Sequence, residues 1–119
     1  MATALDRLRE LLRIATVSYA DESRVDAAAF DEFHAALERL YPLVHARLGR
    51  ERVVGHALLY RWPGRTSERP LVLMAHQDVV PVVEEDWDRD PFGAEIIGEG
   101  AEQAVYARGA IDDKGALVA

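Results

Sequence analysis

Five apolar residues in succession, Leu71-Val72-Leu73-Met74-Ala75, run directly into His76-Gln77-Asp78 and then into Val79-Val80-Pro81. The polar segment PGRTSERP precedes them. A short continuous apolar run bounded by turn residues suits a strand covered on both faces, as in the sheet of an α/β protein. Such a strand needs helices to cover it, and the first half of the chain supplies them. Thr3-Ala4-Leu5-Asp6 has the form of a capping box, and Leu5, Leu8, Leu12 and Ala15 then recur at helical spacing. This helix should end at Ala15, before the β-branched pair Thr16-Val17. Ser23-Arg24-Val25-Asp26 offers a second cap for an amphipathic helix through Phe30, Phe33, Leu37 and Leu40, which Pro42 should break or kink. Leu43 to Leu48 reads as a short helix closed by Gly49.

After Gly49 the period changes. Val53 to Trp62 reads as a strand stopped by Pro63-Gly64. Residues 94–97 and 104–108 flank GEGAEQ as the two arms of a hairpin, and the chain from Asp112 onward reads as the start of a helix. The fold class this implies is α/β, with helices packed on a mixed β-sheet.

Composition narrows the chemistry. The 119 residues are 50% apolar and 29% charged, the profile of an ordinary globular domain. Fourteen basic against twenty-one acidic side chains leave a net charge of −7, which argues against a nucleic-acid partner. There is no cysteine, so disulfides, thiolate metal sites and a cysteine nucleophile are excluded, and any metal must be held by His, Asp or Glu. The stretch MATALDRLRELLRI is too charged for the apolar core of a signal peptide, and no apolar run is long enough to span a bilayer. The expectation is a cytoplasmic protein with no membrane partner. Lys114 is the only lysine, with Arg supplying every other basic side chain. An arginine-rich genome accounts for the bias in general and leaves open why this position kept lysine.

Three stretches could carry chemistry. In a strand, residues i and i+2 point to one face, so His76 and Asp78 project together from the carboxyl end of theirs, where open α/β sheets build sites. An aspartate beside a metal-ligating histidine would accept its spare N–H and fix the tautomer. A plain His–Asp hydrogen bond at a strand end fits the same residues. Asp112-Asp113, in ARGAIDDKGA, could present a carboxylate to a metal, and acids at a helix start are also favoured by the macrodipole alone. Glu84, Glu85, Asp86, Asp88 and Asp90 could bind a cation but read more simply as a solvated loop, pinned by Trp87 and Phe92. His34, His45 and His56 read as ordinary core or surface residues.

Taken in order, A-H-Q-D-V-V-P, then W-D-R-D-P-F, then R-G-A-I-D-D-K-G resembles the di-zinc exopeptidase and amidohydrolase family, whose members include carboxypeptidase S, acetylornithine deacetylase, succinyl-diaminopimelate desuccinylase and aminoacylase. The H-x-D-V-V-P and W-x-x-x-P-F pair is most similar to the carboxypeptidase S and N-acyl-amino-acid hydrolase branch, and Ala107 departs from the glycine often found before Arg-Gly. The resemblance implies that His76 and Asp112 are metal ligands, with Asp112 bridging two Zn2+ ions that Co2+ could replace. It implies that Asp78 serves catalysis by orienting His76, and that the Asp112–Asp113 peptide is cis. It further implies that residues 1–119 are the N-terminal portion of a zinc-exopeptidase-like catalytic domain. The general base, the remaining ligands and a lid or homodimerisation domain would then lie elsewhere. The substrate would be a small peptide or N-acyl amino acid. The chain alone would be inactive, a weak zinc binder and prone to self-association. A truncated homologue serving as an interaction module, or a metal-binding domain using residues 84 to 90, are the competing readings.

Overall fold

A computed structural model describes residues 2–119. Three helices, then four short strands, then a last short helix follow along it, joined by loops and single 3-10 turns. Helix α1 (Ala4–Leu12) opens on a reciprocal capping box in which the Thr3 hydroxyl accepts from the Asp6 N–H and the Asp6 carboxylate accepts from the Thr3 N–H. The helix ends at Leu12 with Arg13 as its C-cap, slightly before the expected end. Helix α2 (Ala27–Leu40) is capped by the Asp26 side chain, which accepts from the N–H groups of Ala28 and Ala29. Ser23 is not part of that cap. It lies in a 3-10 turn over Glu22–Arg24 and bonds to Asp21, an arrangement available to any short polar pair and therefore ambiguous in sequence. Pro42 occupies the first turn of α3 (Pro42–Arg47), where its missing N–H costs nothing.

The core forms where α1 and α2 cross. Leu11, Ile14, Phe33, Ala36 and Leu37 are buried together, and Leu117 and Val118 of α4 (Lys114–Val118) pack against them. The last helix, although short, is thus held against the first.

The strands differ from the sequence expectation in three respects. The expected strand from Val53 to Trp62 is instead one arm and the turn of a hairpin. Strand β1 (Gly49–Arg52) pairs antiparallel with β2 (Leu58–Arg61), with Gly49 opposite Arg61 and Arg52 opposite Leu58. Val53 and Val54 lie in the connecting turn, closed by the bond from the Val53 N–H to the Ala57 carbonyl and made possible by Gly55 at φ +54°.

Leu71 to Ala75 is not a buried strand. It makes no backbone hydrogen bond among the described residues, and Leu73 and Met74 are 85% and 89% exposed. Apolar character supplies the tendency to be covered, but a strand also needs a partner ladder, and among the described residues none runs beside these five. Pairing begins only at Val79, which forms a parallel bridge to Val17 through the bonds Val79 N–H to Thr16 carbonyl and Ser18 N–H to Val79 carbonyl.

The mixed sheet is likewise absent from the described residues. In its place are two separate antiparallel ribbons, the second formed by β3 (Glu95–Ile97) and β4 (Ala104–Tyr106) around Gly98 and Gly100, as expected from GEGAEQ. The ribbon is tied to α1 by the Arg9 guanidinium, which donates to the Ala94 carbonyl at 2.9 Å. Among the described residues no helix is long and apolar enough to cross a membrane.

Candidate metal centre

The segment 76–79 runs alongside Thr16–Ser18, immediately after α1, and the turn 109–113 leads into α4 beside it. These two pieces of chain bring His76 and Asp112 together across 36 residues, with His76 Nε2 at 2.8 Å from Asp112 Oδ1. The Asp113 carboxylate turns the other way and accepts the backbone N–H of His76 at 3.1 Å. The Asp112–Asp113 peptide is cis.

His76 Nδ1 faces Asp78 at two atoms. The backbone carbonyl of Asp78 is 3.0 Å away and its carboxylate Oδ1 is 3.3 Å away. A carbonyl only accepts, so Nδ1 carries a proton and Nε2 is the ring atom left to ligate. With acceptors at both nitrogens, the imidazole favours its charged form. Partial desolvation opposes this, but the Asp112 bond, the Asp78 carbonyl and the two carboxylate charges together hold its pKa above the ordinary histidine value.

The pair fits a metal by its chemistry. A neutral imidazole nitrogen and a carboxylate oxygen are ordinary donors for Zn2+. Ligation requires loss of the proton now shared between them, so metal and protons compete for this site. Half of the His76 side chain and 85% of the Asp112 side chain are exposed, so a cation can reach both from solvent. No group of three or more His, Asp or Glu residues is placed to hold a metal among the described residues.

The acids of residues 84 to 90 are not drawn into this arrangement. They lie on an exposed loop containing the 3-10 turn Glu84–Asp86, and Arg89 pairs with Glu95 of β3 at 2.7 Å. Trp87 anchors that loop edge-on to Tyr106, with the Arg108 guanidinium 5.0 Å from its ring centre.

Lys114, Gly109 and Thr16 hold the segments carrying His76 and Asp112 in place. Lys114 is fully buried, and its Nζ donates to the carbonyls of Leu11 at 3.0 Å and Ile14 at 2.7 Å while lying 4.9 Å from the centre of the Phe33 ring. It thereby satisfies carbonyls at the end of α1, where the helix dipole also favours a cation. Burial pushes its pKa down to about 8 against the pull of Asp78. Its standing as the only lysine was the available signal. Gly109, at φ +86°, lets the chain turn against the buried Val79 side chain. Thr16, fully buried, donates from Oγ1 to the Gln77 carbonyl at 2.6 Å.

Residues 72–119 match the family model for peptidase family M20/M25/M40. The chain belongs to this peptidase family. It is 37% identical over 108 residues to a probable carboxypeptidase S-like protein of Dictyostelium discoideum, an alignment covering 89% of the chain and 21% of that protein. It is 42% identical over 124 residues to an uncharacterized carboxypeptidase of Schizosaccharomyces pombe, covering 98% and 20%. To an N-fatty-acyl-amino acid synthase/hydrolase of Xenopus tropicalis it is 31% identical over 117 residues, covering 96% and 22%. The chain therefore spans about a fifth of the length of the curated relatives it matches. His76, Asp78, Asp112 and Asp113 all fall inside the segment matched by the family model.

Proposed function

We propose that these residues form the N-terminal part of the catalytic domain of a zinc-dependent hydrolase acting on a C-terminal peptide bond or an N-acyl amino acid amide. The observation that carries this reading is the convergence of His76 Nε2 and Asp112 Oδ1 to 2.8 Å from segments 36 residues apart, within the part of the chain that matches the peptidase family. His76 and Asp112 hold metal. Asp78 orients His76 by keeping Nδ1 protonated and Nε2 free to ligate. Asp113 braces the loop by accepting the His76 N–H. Zinc, when bound, supplies Lewis-acid polarisation of the scissile carbonyl and acidifies water beside it. Carboxypeptidase and N-fatty-acyl-amino acid hydrolase names among the relatives support a small peptide or N-acyl amino acid substrate. A catalytic zinc needs at least three protein ligands. In this reading His76 and Asp112 supply two, the remainder come from other parts of a complete domain, and the chain alone is inactive.

The test is made in the complete polypeptide that carries these residues. His76→Ala and Asp112→Ala should each abolish chelator-sensitive hydrolysis of N-acyl amino acids or dipeptides. Activity unchanged in either variant overturns the assignment. Asp86→Ala should leave zinc uptake intact, and the reverse ranking of Asp86→Ala and His76→Ala would move the site to the acidic loop.

A further inference from the structure

Gln77 stands between His76 and Asp78, and its side chain points away from theirs, as alternation along an extended segment requires. Behind the site it enters a chain of hydrogen bonds that nothing in the metal centre uses. The Gln77 amide nitrogen donates to the His56 carbonyl. The Gln77 Oε1 lies 2.9 Å from His34 Nε2 on α2, and His34 Nδ1 lies 3.1 Å from the Arg52 Nη2 on β1. Arg52 is itself held by Asp31 at 2.5 Å, and the His56 ring stacks on Phe30 with centroids 4.4 Å apart.

The two ends of this chain fix its direction. A backbone carbonyl accepts and cannot donate, so the amide nitrogen of Gln77 faces His56 and its oxygen faces His34. A guanidinium donates and cannot accept, so His34 Nδ1 must be unprotonated. His34 is therefore the neutral imidazole with its proton on Nε2, given to Gln77. Burial is the largest influence keeping it neutral. The Arg52 and His56 charges act in the same sense, and the Gln77 bond and Asp31 oppose them.

We propose that His34, in this neutral Nε2–H form, is a positioning residue for the metal centre, with Gln77 as the lever through which it sets the orientation of His76 and Asp78. The main chain of Gln77 is fixed by Thr16 and its side chain by His34 and His56. With both held, the residues on either side are left little freedom to rotate away from Asp112. This inference rests on the metal reading of His76 and Asp112.

The experiment measures Zn2+ affinity of the complete polypeptide by competition with a chromogenic chelator, for wild type, His34→Leu, His34→Gln and His76→Ala. His34→Leu keeps an apolar side chain in the buried position but breaks the relay. It should weaken zinc binding about tenfold, as loss of supporting hydrogen bonds around a ligand does. His34→Gln can still donate to Gln77 and accept from Arg52, and should restore affinity to within about threefold of wild type, since it preserves that support. A purely structural role would lower the melting temperature in both variants and leave zinc affinity alone, and that result overturns the proposal. Should His34→Leu not fold, nitrogen-15 NMR of unmutated His34 at neutral pH decides. A proton on Nε2 with bare Nδ1 supports the proposal, and an imidazolium or the opposite tautomer overturns it. His76→Ala separates the two layers. If it abolishes zinc binding while His34→Leu does not weaken it, only the positioning role falls. If it leaves zinc binding intact, the metal reading falls and this inference with it.

Discussion

Lys114 permits a test in which the sign of a pH effect is set by the fold. The ammonium is buried against the end of α1, with a pKa of about 8 in place of 10.5. Between those values the unfolded chain binds a proton that the folded chain has lost, so stability rises with pH across this window. Conversely, the contribution is lost as pH falls through about 8. At about 1.4 kcal/mol per pH unit, the full gap is worth about 3 kcal/mol, and the part realised between roughly pH 7 and pH 10 about 2.5 kcal/mol. Now consider Lys114→Met. At neutral pH it removes two charge-assisted bonds to carbonyls, worth about 1.5 to 3 kcal/mol each, and relieves the roughly 3 kcal/mol cost of the buried charge. The net loss at neutral pH should therefore be small, about 1 to 2 kcal/mol. At high pH the wild-type amine is neutral and still donates, whereas the variant has gained nothing. Urea denaturation of both proteins at pH values across this window, with a chelator present, should show the stability gap widening by about 2.5 kcal/mol as pH rises. Other titrating groups are common to both proteins and cancel in the difference. A gap that stays flat or narrows with pH would refute the placement of this ammonium.

Other substitutions probe the elements that frame the site. Gly109→Ala places a methyl 2.8 Å from Val79 Cγ1 at a φ of +86°, and should cost about 2 kcal/mol or more in chemical denaturation. Gly115→Ala drives Cβ into the Ala110 carbonyl oxygen and should disturb the entry to α4, seen as faster amide exchange in residues 110–118. Thr3→Ala removes the side-chain half of the α1 capping box and should lower stability by about 1 kcal/mol. Calorimetry of residues 1–119 with Zn2+ should show weak or no stoichiometric binding, because two ligands are too few. Two ions bound at submicromolar affinity would show that the ligand set is misassigned.

What was legible in sequence was local. The Thr3–Asp6 capping box and the break of α2 at Pro42 act through neighbours within four residues and sit where expected, whereas of the second expected cap only Asp26 serves and Ser23 does not. The turn between β3 and β4 was legible for the same reason. Strand β1 was not, since Gly49-Arg50-Glu51-Arg52 is exposed at every position and has no apolar face to reveal it. It is a strand because Leu58 to Arg61 lies beside it, and that fact is recorded in no window of the sequence. Val53 and Val54 misled in the opposite sense, as β-branched residues recruited into a turn. For the candidate site, the motifs pointed to His76, Asp78 and Asp112, which the fold brings together, whereas the partnership of Gln77 with His34 spans 43 residues and joins two side chains with no signature of their own.

The architecture of the site follows from a single anchor. The segments carrying His76 and Asp112 are fastened to neighbouring residues at and just after the C-terminal end of α1. Lys114 seizes the carbonyls of Leu11 and Ile14, which sets the turn carrying Asp112. Thr16 bonds the Gln77 carbonyl through its hydroxyl and the Val79 N–H through its own carbonyl, which sets the stretch carrying His76. The approach of His76 to Asp112 is thus supported by a span of chain from Leu11 to Thr16, much of it buried, in addition to the 2.8 Å contact between the two side chains. That arrangement explains how an exposed His–Asp pair can hold a defined separation while Leu71 to Ala75, directly upstream, has no fixed partner among the described residues. It also explains the single lysine. Arginine at 114 would bring a planar fork to a place beside Phe33 where two carbonyls converge on one nitrogen, whereas an ammonium presents three donors from a point. The one lysine in an arginine-rich chain thus stands where two carbonyls converge on a single nitrogen.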